Sequence, residues 1–126
     1  MNFEKYTQKS LQAIKDATDI AREYGNPQVK EIHLNYALLN DNDGLIPRVL
    51  DYMDVNKEAV KSELLRVIQR LPRQSGGSLS ADESYTRVLD QAEKNMTKFG
   101  DDYLSVEHIY MALLNLKGTD SYSVFK

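Results

Sequence analysis

The 126-residue chain carries 16 Lys plus Arg against 19 Asp plus Glu, with 41% apolar residues and no cysteine. That balance belongs to one soluble globular domain; it excludes disulfide frameworks, thiolate chemistry and any general attraction to nucleic acid or anionic lipid. The start, MNFEKYTQKS, has no apolar signal core, and no apolar run approaches the ~18 residues of a membrane span, so a cytoplasmic location without membrane or nucleic-acid partners is expected.

In chain order, Ala13, Ile14, Ala17, Ile20, Ala21 and Tyr24 recur at the i, i+3, i+4, i+7 spacing of a buried helix face. They predict a helix from Ser10 to Tyr24, with Thr7 as N-cap and Gly25 as a left-handed C-terminal cap. A short helix follows over His33 to Asn40. The turn at Asp43-Gly44 then feeds another short helix with Pro47 in its first turn. Val60, Leu64, Val67, Ile68 and Leu71 form the next stripe, stopped by Pro72. PRQSGGS, residues 72–78, is linker-like. Beyond it Ser80 and Glu83 suggest a capping box, and Tyr85, Val88, Leu89, Ala92, Met96 and Phe99 give the cleanest stripe, again followed by a glycine, Gly100. Ser105 caps the next helix, with Glu107 in its first turn. No segment alternates long enough to predict a strand.

The helical pattern is written twice. EIHLNYALLN at 31–40 and VEHIYMALLN at 106–115 match at an offset of 75, which also pairs Ala17 with Ala92, Gly25 with Gly100 and Val49 with Val124. The expected architecture is all-α: two pseudo-symmetric helical repeats in one domain of residues 1–126, related by an approximate two-fold without strand pairing between them. Repeat one covers 1–71, the linker 72–79, and a truncated repeat two 80–126. Residues 120–126 should start the counterpart of a helix at Ile46 to Met53, with less apolar surface to bury. Leu113 and Leu114 are assigned to the buried face of the repeated helix.

His33 and His108 sit in the first turns of equivalent short helices. Neither has a cysteine, a second histidine or an i+4 carboxylate placed as a metal site needs, and Glu107, adjacent to His108, points elsewhere. They read as packing or capping residues; a small enzyme using both as acid and base is the alternative from another class. No serine elbow or phosphate-binding loop is present, since Gly76-Gly77 is followed by no suitable lysine.

The doubled H-x-x-x-A-L-L segment and the SGG linker resemble the Clp N-terminal repeat domain at the front of Hsp100 unfoldases. FEKYTQKSLQAI, DGLIPRVLDYMDVN, LPRQSGGS, LSADESYTRVLDQAE and GDDYLSVEHIYMALL look most like the ClpB branch. The resemblance implies a non-catalytic domain that helps an ATP-driven, hexameric disaggregase engage unfolded or aggregated polypeptides, in cooperation with the Hsp70 (DnaK) system. It implies no cofactor in this stretch, ATP being bound by AAA+ modules outside it. A ClpA- or ClpC-type domain that docks adaptor proteins is the alternative within the family.

By the same resemblance Thr7, Asp101 and Glu107 match positions implicated in substrate engagement. Each also has a local reading, as N-cap, turn residue and first-turn acid. Asn26 and Ile32 stand at the equivalents of Asp101 and Glu107, and that failure to recur favours function over structure. Leu89, Tyr103 and Leu104 are the candidates for a partly exposed apolar seam that accepts extended apolar segments, although Leu89 and Leu104 also suit a core.

Overall fold

The computed structural model describes residues 3–74 and 76–125; Met1, Asn2, Ser75 of the predicted linker and Lys126 of the predicted last helix lie outside them. Among the described residues the order is α1 (Gln8–Glu23), β1 (Gln28–Val29), α2 (Glu31–Asn40), α3 (Leu45–Tyr52), α4 (Lys57–Arg70), β2 (Ser80–Ala81), α5 (Glu83–Lys98), α6 (Val106–Asn115) and α7 (Asp120–Val124). Thr7 caps α1, its Oγ1 accepting the Ser10 N–H at 3.2 Å. Both long helices end in the same device. Gly25 (φ 69°) and Gly100 (φ 71°) take the left-handed conformation that a side chain resists. The N–H of Gly25 reaches Arg22 O and that of Asn26 reaches Ala21 O, while Gly100 and Asp101 repeat these bonds to Thr97 O and Met96 O.

Helix α2 is the centre, with Glu31 to Asn35 and Ala37 to Leu39 all buried. It packs against every other helix, and α6, its counterpart, packs on α1, α2, α3, α5 and α7. Leu34, Leu39, Leu64, Ile68, Val88, Leu89, Leu104, Ile109 and Leu113 form the fully buried interior between them.

Strand pairing does occur between the halves, contrary to expectation, but it obeys the 75-residue register. Val29 pairs with Ala81, and Leu104, the counterpart of Val29, pairs with Tyr6, the counterpart of Ala81. A contact in which i meets j and the equivalent of j meets the equivalent of i is the signature of two-fold symmetry. The short β pairs therefore close the two repeats on each other at two related places.

Three smaller expectations change. Ser80 is drawn into β2, so Asp82 becomes the N-cap of α5, accepting the Ser84 N–H at 2.9 Å. Phe99 leaves the apolar stripe and is exposed, because the helix ends there. Leu114 is 37% exposed where its counterpart Leu39 is 1% exposed. The difference has a cause: α4 packs along α2, and α6 has no such helix against it among the described residues. Among the described residues the less covered helix is thus α6, whereas α7 rests on α2, α4 and α6.

Candidate functional site

The segment between α5 and α6 is built around His108. Its Nδ1 accepts the Ser105 N–H at 2.9 Å, so the ring proton lies on Nε2, which donates to Asp101 Oδ2 at 2.7 Å. His33 does the same in the first repeat, with Nδ1 accepting the Lys30 N–H at 2.8 Å and Nε2 donating to Asn26 Oδ1 at 2.9 Å. Each imidazole ties the first free amide of one helix to the side chain that follows the glycine turn of the helix before it. Both ring nitrogens are occupied in both copies, which leaves no lone pair for a metal or a substrate proton. Burial pushes the His33 ring down to about 4, so at neutral pH it holds the uncharged form this pattern requires. Among the described residues no group of acidic or histidine side chains is placed to hold a metal.

Leu104 then joins this segment to the start of the chain. Its N–H donates to Lys5 O at 2.7 Å, and its carbonyl accepts from Thr7 N–H at 2.9 Å and Ser10 Oγ at 2.8 Å. Thr7 is half-buried and is held both by that bond and by its own capping role. Around this junction lie Asp101 and Glu107, both exposed, and Tyr103, 63% exposed. Four of the six predicted residues, Thr7, Asp101, Tyr103 and Glu107, are thus brought to one end of the molecule.

Leu89 and Leu104 do not join them as surface. Both are fully buried, Leu89 on the inward stripe of α5 and Leu104 under the Thr7 bond, so they belong to the core. The inference from Asn26 also changes. Asn26 and Asp101 share one structural task, accepting from a histidine, and differ in exposure rather than in role. The sequence reading missed two exposed aromatics. Phe99 directly precedes the Gly100 turn, and Phe3 stands edge-on to Tyr6 with ring centroids 5.0 Å apart. The available signal was position: a stripe residue at the last turn of a helix has nothing beyond it to pack on. Tyr6 itself bonds Glu93 Oε2 at 3.0 Å, and burial raises its hydroxyl further from ionisation.

The equivalent junction at the other end is covered. The linker crosses it, with the Gln74 N–H bonded to Gly25 O at 2.8 Å and Asn26 Nδ2 bonded to Pro72 O at 3.1 Å. Leu79 adds a half-buried side chain to the core's edge. Asn26, Ile32 and His33 are consequently buried where Asp101 and Glu107 face solvent.

Two closed helical repeats, with one junction open, define a Clp-type N-terminal module. Residues 5–125 match the Clp repeat (R) N-terminal domain family, and the chain belongs to that family. In sequence it is ClpB-like. It is 38% identical over 122 residues to the chaperone protein ClpB of Clostridium perfringens, covering 92% of this chain and 14% of that protein. The chain thus spans about one seventh of the length of such relatives. The Hsp104 N-terminal domain of Candida albicans superposes with a TM-score of 0.87 at 20% identity, over 97% of this chain and 80% of that one. A ClpV N-domain solved in complex with a VipB peptide superposes at 0.78 with 17% identity, over 98% of this chain and 78% of that one. Among the described residues no helix is long and apolar enough to cross a membrane.

Proposed function

We propose that this domain engages unfolded or aggregated polypeptides for a ClpB-type disaggregase, and that it does so at the open junction formed by Thr7, Asp101, Tyr103 and Glu107. The observation that carries the reading is the asymmetry between junctions: the same hydrogen-bonded frame is roofed by the linker at one end and bare at the other. The bare end combines two carboxylates with the exposed rings of Phe3, Phe99 and Tyr103. Such a surface offers apolar contact to extended segments and a negative rim to their basic flanks, which is weak, broad recognition without chemistry. The complex of a fold-related N-domain with a peptide supports the same kind of use. In the full-length protein this binding would feed a hexameric, ATP-binding AAA+ engine in the cytoplasm, working with the Hsp70 (DnaK) system. The domain itself takes no cofactor and performs no catalysis.

The test uses a permanently unfolded, reduced and alkylated protein as ligand. Combining Asp101→Asn, Tyr103→Ala and Glu107→Gln should weaken its binding by about tenfold, a change of about 1.4 kcal/mol. Asp101→Asn is preferred to alanine, because His108 then keeps its acceptor as His33 keeps Asn26. Unchanged binding would remove the site assignment. Binding confined to a folded adaptor protein would instead favour the ClpA- or ClpC-type role.

A further inference from the structure

The carboxyl of Glu31 is 1% exposed, at the first turn of α2, and it is an unusual thing to find under a five-residue helix. Its Oε1 accepts the Ser121 N–H of α7 at 3.2 Å, while its Oε2 has no partner. One turn along the same face, Asn35 donates from Nδ2 to Ser121 Oγ at 2.9 Å, and its Oδ1 is also without a partner. Two buried acceptor oxygens left unpaired beside one serine are costly while the carboxyl is ionised. A proton on Oε2 would make that oxygen a donor, and Asn35 Oδ1, one helical turn along the same helix, is an acceptor that lacks one.

We propose that Glu31, Asn35 and Ser121 form a proton-operated latch for α7, in which a proton shared between the two orphaned oxygens holds α7 on α2 and its loss to solvent releases it. The proton leaves to water through a cleft of about 260 Å³ lined by Glu31 itself with Ser84, Gly118 and Thr119. The charged groups facing that cleft are Lys30 at the start of α2, Asp82, Glu83 and Arg87 from the start of α5, and Asp120 from α7. Helix α6 contributes the neutral Tyr110, whose ring meets Phe125 edge-on at 5.8 Å. Of these, the Asp120 carboxylate opposes a further negative charge on Glu31, while the Asp120 backbone favours it. Burial, the largest cause, and Asp120 together push the Glu31 carboxyl up to about 6, against the bonds from Ser121 that favour ionisation. The sign follows. A group whose pKa is raised on closing stabilises the closed state below its open-state value and loses that stabilisation as pH rises through about 6. Helix α7 is short, and beside the Phe125 contact, the Asn35 bond and its packing on α4 and α6, this one carboxyl holds the first turn of the helix directly.

Amide hydrogen exchange resolves the latch locally. The opening constant of the Ser121, Tyr122 and Ser123 amides, corrected for intrinsic exchange, should rise roughly tenfold between about pH 5 and about pH 7.5, while the amides of α5 do not follow. Glu31→Gln places an amide donor where the proton would be, and it should hold α7 closed with a flat profile across that range. An NMR titration of the Glu31 side-chain carboxyl in the parent protein, with its midpoint above that of an ordinary glutamate, is expected in addition and does not depend on the variant. A parent profile that is flat, a Glu31→Gln profile as steep as the parent's, or a Glu31 midpoint at the ordinary value would each overturn the latch.

Discussion

The two junctions between the repeats share one hydrogen-bond plan and differ in what lies over them. At the first, Gly25, Asn26 and His33 are roofed by the linker; at the second, Gly100 and Asp101 stand at the surface over a buried His108. The duplicated frame keeps what folding needs in both places, the glycine turn and the histidine tie. What varies is the side chain beside it: amide where the acceptor is buried, carboxylate where water can solvate it. A similar divergence separates the two seats of the short helices. Glu31 and Asn35 receive α7 with polar atoms, whereas α3, the counterpart of α7, packs on α6, where Val106 and Tyr110 stand at the equivalent positions.

The largest expected effect compares equivalent leucines. Leu39→Ala should cost about 2–5 kcal/mol, because it empties a fully buried site in the core, while Leu114→Ala, at an exposed position, should cost less than about 1 kcal/mol. Equal losses in denaturant midpoints would contradict the absence of cover over α6. Next comes acid. His33 is neutral when folded and protonates near 6.5 when unfolded, so its contribution is complete above that value and lost as pH falls toward about 4. Up to ~3 kcal/mol is at stake. Glu31 works the other way over part of the range, stabilising at low pH by up to ~2 kcal/mol and losing this above about 6. Chemical denaturation at a series of pH values should therefore show a net fall in stability from about pH 6 to about pH 4, smaller than His33 alone would give. A rise over that interval would refute the neutral, buried histidine.

Asn26→Ala, which strands the buried His33 Nε2 donor, should cost about 1–3 kcal/mol. Asp101→Asn copies the first repeat into the second and should change stability by no more than about 0.5 kcal/mol. If thermal melts rank these two in reverse, the frames are not equivalent. Their contrast also separates fold from binding, since only the second position faces the proposed ligand.

Much of this was written legibly in the chain. The helices, the glycine turns and the pairing of His33 with His108 follow from spacing, because helical periodicity and left-handed caps are local properties. Exposure was not legible. Leu89 and Leu104 look like Tyr103 in composition, yet whether a residue at the end of a stripe is core or surface depends on which distant segment lies over it. Leu114 and Leu39 both stand in ALLN, and what distinguishes them is the cover that distant segments give each. The β pairs escaped notice for a related reason: two residues give no alternation to detect. The Glu31 latch escaped because its partner, Ser121, lies 90 positions away.

The reciprocal bridges also have a consequence for how the chain acquires its shape as it emerges from synthesis. The bridge at Tyr6 is made with Leu104 and the strand at Val29 pairs with Ala81, so each of these pairings joins one half to the other. Individual helices can form in about a microsecond, but closure must wait for a loop of nearly the whole domain to meet its end. A nascent chain halted before Leu104 would lack the cover that α6 gives α1 and α2 and that α7 gives α2, and would itself be the kind of half-folded polypeptide that chaperones bind. The domain passes through that condition each time it is made, and leaves it when the second junction shuts.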